Sequence, residues 1–378
     1  MRSQVSVIKC KSYNPQELYP AVRKSLDLIG GINSFVKRSD KVLIKPNLLC
    51  ACTPDKGIDT HPEFARAVIK IVKETGAEIF LGDAPSVWGT PEDVDSVYEL
   101  SGMRQVCYEE KVRLVDFNQG AMVSNYPLAS WTKECNRIIS LPKFKTHDLM
   151  VLTGAIKNLF GLIPGLSKTE LHRRAMRSDE FAKVLVDIYE LAKPTVSIVD
   201  GIVAMEGDGP ASGGTLRDLG LIIASSDAVA LDSVMATIVG LRPEDIFSTK
   251  EAYARKLGNM HLSEIEVLGE KLAEVIVPDF KIPQLSILNR MPKPFLSLGK
   301  KLIRFRAVID RDKCRLCGLC AKGCPAGAIS QQPQAMVIEF NRCVLCMCCK
   351  EVCPEGAVFI RRNPLLGVIK WLLKLLNK

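Results

Sequence analysis

The chain of 378 residues is 47% hydrophobic and 25% charged, enough to bury a large core over two or three domains, which excludes a disordered protein. The opening "MRSQVSVIKC" alternates like a strand, and no uninterrupted apolar run approaches the roughly 18 residues of a spanning helix, so neither a signal peptide nor a membrane span is expected and the cytoplasm is. The net charge of +9 is uneven: residues 1–280 carry 33 Lys and Arg against 37 Asp and Glu, while 281–306 carry seven basic residues and 361–378 five, both without an acid. An acidic body argues against a nucleic-acid partner.

In chain order, "VSVIKC" predicts a strand, "ELYPAVRKSLDLIG" a helix, "KVLIKPN" a strand, "HPEFARAVIKIVKETG" a helix and "AEIFLGDAP" a strand. Further on come "RIISLP", the helix "SDEFAKVLVDIYELAK", the strands "TVSIVDG" and "LGLIIASSD", and the helix "AVALDSVMATIVG". Strand and helix in alternation predict an α/β body with a largely parallel sheet over 1–280. Polar residues repeatedly follow strand ends: Lys45 and Asn47, Asp83, Lys143 and Lys145, and Asp200. Ligands of open α/β sheets sit at the carboxyl ends of strands, so these side chains are expected to share one cleft.

The segment "KFKTHDLMVLTGAIKNLFGLIPG" sets Lys143, Lys145 and His147 on alternating strand positions, ahead of Gly154, Lys157 and Asn158. A helix beginning near Thr153 would aim backbone N–H groups and Lys157 at an anion, and a buried lysine is costly without an acid or an anionic ligand. The segment reads as the wall of a phosphate or carboxylate site; solvated or salt-bridged lysines are the alternative. In "DGIVAMEGDGPASGG", Asp200, Glu206 and Asp208 offer hard ligands for a divalent metal or an acid–base set, against a plain Gly-rich surface turn. His61 before Pro62 is a base, a ligand or a helix cap, and Asp227 an N-cap. His172 and His261 are expected at the surface. Cys50 and Cys52 form a C-x-C pair that could ligate metal or react, or be buried apolar thiols.

Nine of the fourteen cysteines fall between Cys314 and Cys353, at metal-ligand spacing, beyond a proline-interrupted basic connector at 281–306. "VIDRDKCRLCGLCAKGCPAGAI" from Val308 repeats as "VIEFNRCVLCMCCKEVCPEGAV" from Val337, every C-x2-C-x2-C-x3-C-P cysteine in register. Residues 307–362 thereby resemble a bacterial ferredoxin with two [4Fe–4S] clusters. By that resemblance one cluster takes Cys314, Cys317, Cys320 and Cys353, and the other Cys343, Cys346, Cys349 and Cys324, with Cys348 a non-ligand beside it. Zinc knuckles are the alternative metal site, and a purely structural role the alternative to a wire for single electrons. Residues 363–378, "NPLLGVIKWLLKLLNK", predict a basic amphipathic helix suited to an anionic membrane surface or to packing on protein.

The body resembles the domain-of-unknown-function family numbered 362, often fused to such a ferredoxin module. The matching stretches are "KPN", "THPE", "GDAP", "PKFKTH" running into "TGAIKNLFGLIPG", "DGIVAMEGDGP" and "SSDAVALD". The family implies a fold and site residues but no settled reaction. His147, Lys157 and Pro164-Gly165 also resemble one segment of the lactate racemase family, which keeps a phosphorylated ligand or further metal in view. No G-x-G-x-x-G follows a predicted strand and no Walker pattern occurs. Two readings follow. In the first, the ferredoxin module exchanges electrons with an enzyme domain in which Lys45, Asn47, Lys143, Lys145, Lys157 and Asn158 bind an anionic substrate or cofactor. His61, His147, Asp83, Asp200, Glu206 and Asp208 would then move protons or ligate metal. In the second, the chain is a non-catalytic adaptor that docks to a redox partner or peripherally on the inner face of the membrane.

Overall fold

The computed structural model describes residues 2–85, 91–117, 120–165, 167–175, 177–211, 213–283 and 306–361. The expected tail helix and nearly all of the connector lie outside these residues. Strands β1 (Ser3–Lys9), β2 (Lys41–Lys45), β3 (Glu78–Leu81), β4 (Arg113–Leu114), β7 (Arg137–Ser140), β10 (Val196–Gly207), β11 (Gly214–Ser225) and β12 (Ile265–Gly269) build the large sheet. A separate hairpin of β5 (Gly120–Val123) and β6 (Tyr126–Ala129) lies off it. The sheet order is β12-β1-β11-β10-β7-β2-β3-β4, with β10, β7, β2, β3 and β4 mutually parallel and β11 antiparallel to both neighbours. The sheet is therefore mostly parallel, with one long antiparallel hairpin, β10–β11, in its middle.

Alternation along each strand explains the three layers. Val42, Ile44, Ile139 and Ile198 pack on one side with Val22 and Phe64 from the helices Pro15–Asp27 and Pro62–Lys73. Leu43, Ile138 and Val199 pack on the other with Phe181 and Leu231 from the helices Ser178–Ala192 and Ala228–Ile238. Each such buried side chain contributes on the order of 1.5–3 kcal/mol. Asp227 caps the last of these helices, accepting from Val229 N and Ala230 N, and His61 caps the helix Pro62–Lys73 by accepting from Glu63 N.

Immediately past β7, Leu141-Pro142 interrupts the chain, and the strand resumes as β8 (Lys143–His147), still beside β10 and followed by the antiparallel β9 (Val151–Thr153). Proline cannot donate to a ladder, which accounts for the break. The result carries Lys143, Lys145 and His147 past the carboxyl edge of the sheet, all three buried.

The C-terminal domain repeats itself in three dimensions. β13 (Arg306–Ile309), the helix Leu319–Lys322 and β14 (Ile329–Gln332) recur 29 residues later as β15 (Ala335–Ile338), the helix Cys348–Glu351 and β16 (Val358–Arg361). The repeats interleave, β13 pairing with β16 and β14 with β15. Left-handed residues also recur in register: Leu316 and Leu345, Gly318 and Met347, Gly327 and Gly356. No helix among the described residues is long and apolar enough to cross a membrane.

Candidate functional site

The interleaving brings each fourth cysteine to the opposite repeat. One pocket is lined by Cys314, Cys317, Cys320 and Cys353, and a second by Cys324, Cys343, Cys346 and Cys349. Among the described residues no three His, Cys, Asp or Glu side chains are placed to hold a single metal ion. Four thiols around a pocket suit a polynuclear iron–sulfur group, whose ligands sit at its corners, better than one zinc ion. Cys348 is buried but does not line either pocket.

The two repeats differ where they meet the body. Lys322 of the first repeat is exposed and Ala321 half-buried against that domain's own core, whereas their counterparts Glu351 and Lys350 are 7% and 1% exposed. Lys350 Nζ donates to Asp148 Oδ2 at 2.6 Å and to the Asp208 carbonyl. Glu351 Oε1 lies 2.9 Å from His147 Nε2, without an aligned hydrogen-bond donor of its own. His147 Nδ1 accepts from Leu149 N and Met150 N, which places the ring proton of the neutral form on Nε2. Burial pushes His147 down to about 4. Against the cost of burial, His147 and Lys157 hold Glu351 in its charged form.

Glu351 closes one side of a cavity of about 40 Å³ whose other walls include Lys45, Asn47, Asp83, Lys145, Lys157, Asn158, Lys168 and His172. Lys45 is neutralised there by Asp83 at 2.8 Å, and Asp83 also accepts from Leu48 N. Gly161 has to be glycine, since a Cβ would run into both partners of that ion pair. Among the described residues the remaining lysines have no carboxylate in contact. Lys145 donates to Ile58 O and Lys168 to Ala84 O, and Lys157 makes no hydrogen bond or ion pair among the described residues. Burial lowers all three, Lys145 to about 8 and Lys168 to about 7. Asn47 Oδ1, Thr153 Oγ1 and His172 Nδ1 also line or border this space without a partner. Desolvated ammonium groups in such excess make a cavity suited to an anion.

Several expected site residues are elsewhere. Lys143 and Asp200 are 2.8 Å apart and share Tyr13 Oη, which donates to Asp200 and accepts from Lys143, while His61 N donates to Asp200 and its ring stacks on Tyr13 at 3.7 Å. Lys143 is thus spent on internal partners and takes no part in the cavity. Glu206 binds Lys281, and Asp208 meets Lys350 through its carbonyl, so the three carboxylates of "DGIVAMEGDGP" do not converge on a metal. Asp200 and Glu206 both lie within the long strand β10, so the alternative of a surface turn does not describe that stretch either. The helix after Thr153 is only Ala155–Asn158, and its first N–H groups, of Ala155 and Ile156, are taken by Asp232 rather than a ligand.

Other functional groups were not legible. His172, expected at the surface, is 5% exposed and stacks on Phe181, while His261 is exposed as expected. Lys168, Leu171 and His172 form the buried side of one helical turn; that i, i+3, i+4 spacing was the available signal. For Lys350 and Glu351 the signal was the departure of "KE" from "AK" between otherwise matching repeats.

A model for a domain of unknown function, DUF362, matches residues 42–237, and one for a 4Fe-4S dicluster domain matches 304–357. The thylakoid-associated protein sll1697 of Synechocystis is 33% identical over 291 residues, 75% of this chain and 89% of that protein. Two solved structures align more loosely: a lactate racemase apoprotein from Thermoanaerobacterium thermosaccharolyticum (TM-score 0.39, 10% identity, 64% of this chain and 58% of that one) and a Thermotoga maritima protein (0.33, 12%, 58% and 57%). The alignments thus span less than two thirds of either solved chain. By the match over half its length and the relative aligned along most of it, the chain belongs to the DUF362 family, and it carries a 4Fe-4S dicluster domain after that body.

Proposed function

We propose that this iron–sulfur electron-transfer protein holds two [4Fe–4S] clusters and exchanges their electrons with a small anion bound among Lys45, Lys145, Lys157 and Lys168. One cluster would be held by Cys314, Cys317, Cys320 and Cys353, the other by Cys324, Cys343, Cys346 and Cys349. Bound there, the clusters supply one-electron redox chemistry. The observation that carries this reading is the position of Glu351. It lies between two cluster cysteines, Cys349 and Cys353, and lines the same cavity as the lysines. Through the Glu351 side chain and two residues of backbone on either side, that cavity is linked covalently to a thiol of each quartet.

The body's residues then have distinct roles. Lys157, with no counter-charge in contact among the described residues and Glu351 acting on it across the cavity, supplies a cation; Lys145 and Lys168, lowered by burial, donate hydrogen bonds and can give up a proton. Asn47 and Thr153 offer unpaired polar atoms to orient the ligand. The cavity has room for a phosphate-sized or carboxylate-sized group, not for a nucleotide.

The test is to titrate anaerobically purified full-length protein with inorganic phosphate and with acetate while following the cluster electron paramagnetic resonance spectrum. A saturable change that weakens at least roughly tenfold in Lys157→Met supports the reading. An unchanged spectrum with both anions, or equal affinity in the variant, removes the anion from the proposal. A peripheral membrane location is a second reading, favoured by the thylakoid-associated description of the relative and by the basic segments 281–306 and 361–378. Flotation with phosphatidylglycerol vesicles, lost at high salt, would support it.

A further inference from the structure

Cys50 and Cys52 are the one motif that the electron-transfer reading leaves unused. They lie on the loop that leaves β2 and returns at the helix Pro62–Lys73, and this loop is firmly held. Asn47 N donates to Thr60 Oγ1 at 2.8 Å, Thr60 N to Asn47 O at 2.9 Å and Leu49 N to Asp59 Oδ1 at 2.6 Å. The chain bends at Cys50 and Ala51, so the two cysteines are drawn closer than the roughly 7 Å of an extended i, i+2 pair. Both thiols are free and half-buried, packed in one small cluster against Leu49, Ile58, Met205 and Ala211. The other three thiols of the body, Cys10, Cys107 and Cys135, are buried singly.

The surroundings supply what thiol redox chemistry needs. Cys52 Sγ lies 3.5 Å from Asp59 Oδ2, a carboxylate 7% exposed, and Cys50 acts on the Lys145 ammonium, which lines the lysine cavity. Leu48 and Leu49, just ahead of the pair, line that same cavity with Glu351. The dithiol therefore sits between the body's interior and the place where the iron–sulfur domain enters it.

We infer that Cys50 and Cys52 form a reversible dithiol–disulfide couple, with Asp59 as the proton acceptor for Cys52. On oxidation the two S–H bonds break and one S–S bond forms. One proton passes to Asp59 Oδ2 and the other to solvent. The two electrons go to two one-electron acceptors, the iron–sulfur groups of the dicluster domain; reduction reverses each transfer. Burial holds the Asp59 carboxyl up at about 6, where it exchanges a proton readily near neutrality. Such a couple would convert single electrons into a pair.

The experiment reads the thiols themselves and is independent of any anion. Full-length protein with its iron intact is poised anaerobically in glutathione buffers of graded ratio, trapped with an alkylating agent and digested, and the peptide containing Cys50 and Cys52 is weighed. The expected result is a population lighter by about two hydrogens, carrying no alkyl group, that grows with oxidising poise and reverts when dithionite reduces the protein. Asp59→Asn, which keeps the acceptor for Leu49 N, should slow the interconversion by roughly tenfold or more. Alkylation of both thiols at every poise, or only mixed disulfides with glutathione, would overturn the couple. An unchanged rate in Asp59→Asn would overturn the role of Asp59.

Discussion

Lys350, from the helix beside the last cluster cysteines, places its ammonium 2.6 Å from Asp148 in the body, and neither side chain reaches solvent. The same lysine reaches the Asp208 carbonyl, so a single side chain ties the end of β8 and the β10–β11 turn to the iron–sulfur domain. Removing one partner of a buried pair strands the other charge. Asp148→Asn should therefore loosen the domain contact by about 3–5 kcal/mol. The measurement is the rate of limited proteolysis between the domains, expected to rise while iron content holds. The double change Asp148→Leu with Lys350→Met should recover most of the loss, because an apolar pair avoids the stranded charge.

The crossing of the fourth cysteines gives a sharp prediction for Cys324. It belongs by sequence to the first repeat but lines the pocket of the second. Cys324→Ser should lose about four of about eight irons, and the signal that disappears should be the one altered by changes at Cys343 or Cys346, not at Cys314. Iron analysis with paramagnetic resonance of the single and double variants would check this. Loss grouped by sequence repeat would contradict the pocket geometry.

Acid should weaken the fold through the half-buried His61 and the buried His172. Burial lowers both His61 and His172 to about 4. In the unfolded chain each has its ordinary value near 6.5. The unfolded state binds more protons between these values, so this stabilising contribution is complete above about 6.5 and is lost as pH falls toward 4. At pH 5.5 the loss is about 1.4 kcal/mol per histidine. Urea unfolding of the wild type and His172→Gln between pH 7.5 and 5.5 should show a shallower pH slope in the variant.

Much of this architecture is legible from periodicity alone. Alternation in "KVLI" and "RIIS" assigns Val42, Ile44 and Ile139 to one layer and Leu43 and Ile138 to the other, and the capping roles of His61 and Asp227 follow from their place before helices. The grouping of eight cysteines about two pockets is legible because their spacing is rigid and duplicated. The lysines were harder. Lys45, Lys143 and Lys145 look alike in sequence, yet Lys45 meets Asp83, Lys143 meets Asp200 and Lys145 meets only a carbonyl. Those outcomes depend on partners tens of residues away, which local pattern does not encode. Asp232, 76 residues beyond Ile156, similarly takes the helix N–H groups that a local reading offered to a ligand.

A duplicated domain begins with two equivalent ends, and an electron entering it has no reason to prefer one. Replacing Ala321 and Lys322 of the first repeat by Lys350 and Glu351 in the second abolishes that equivalence without disturbing the backbone, whose left-handed positions still match 29 residues apart. One end is thereby committed inward, while the matching position of the other carries an exposed lysine, Lys322. Polarity, in a module that inherited none, comes down to the identity of two neighbouring side chains.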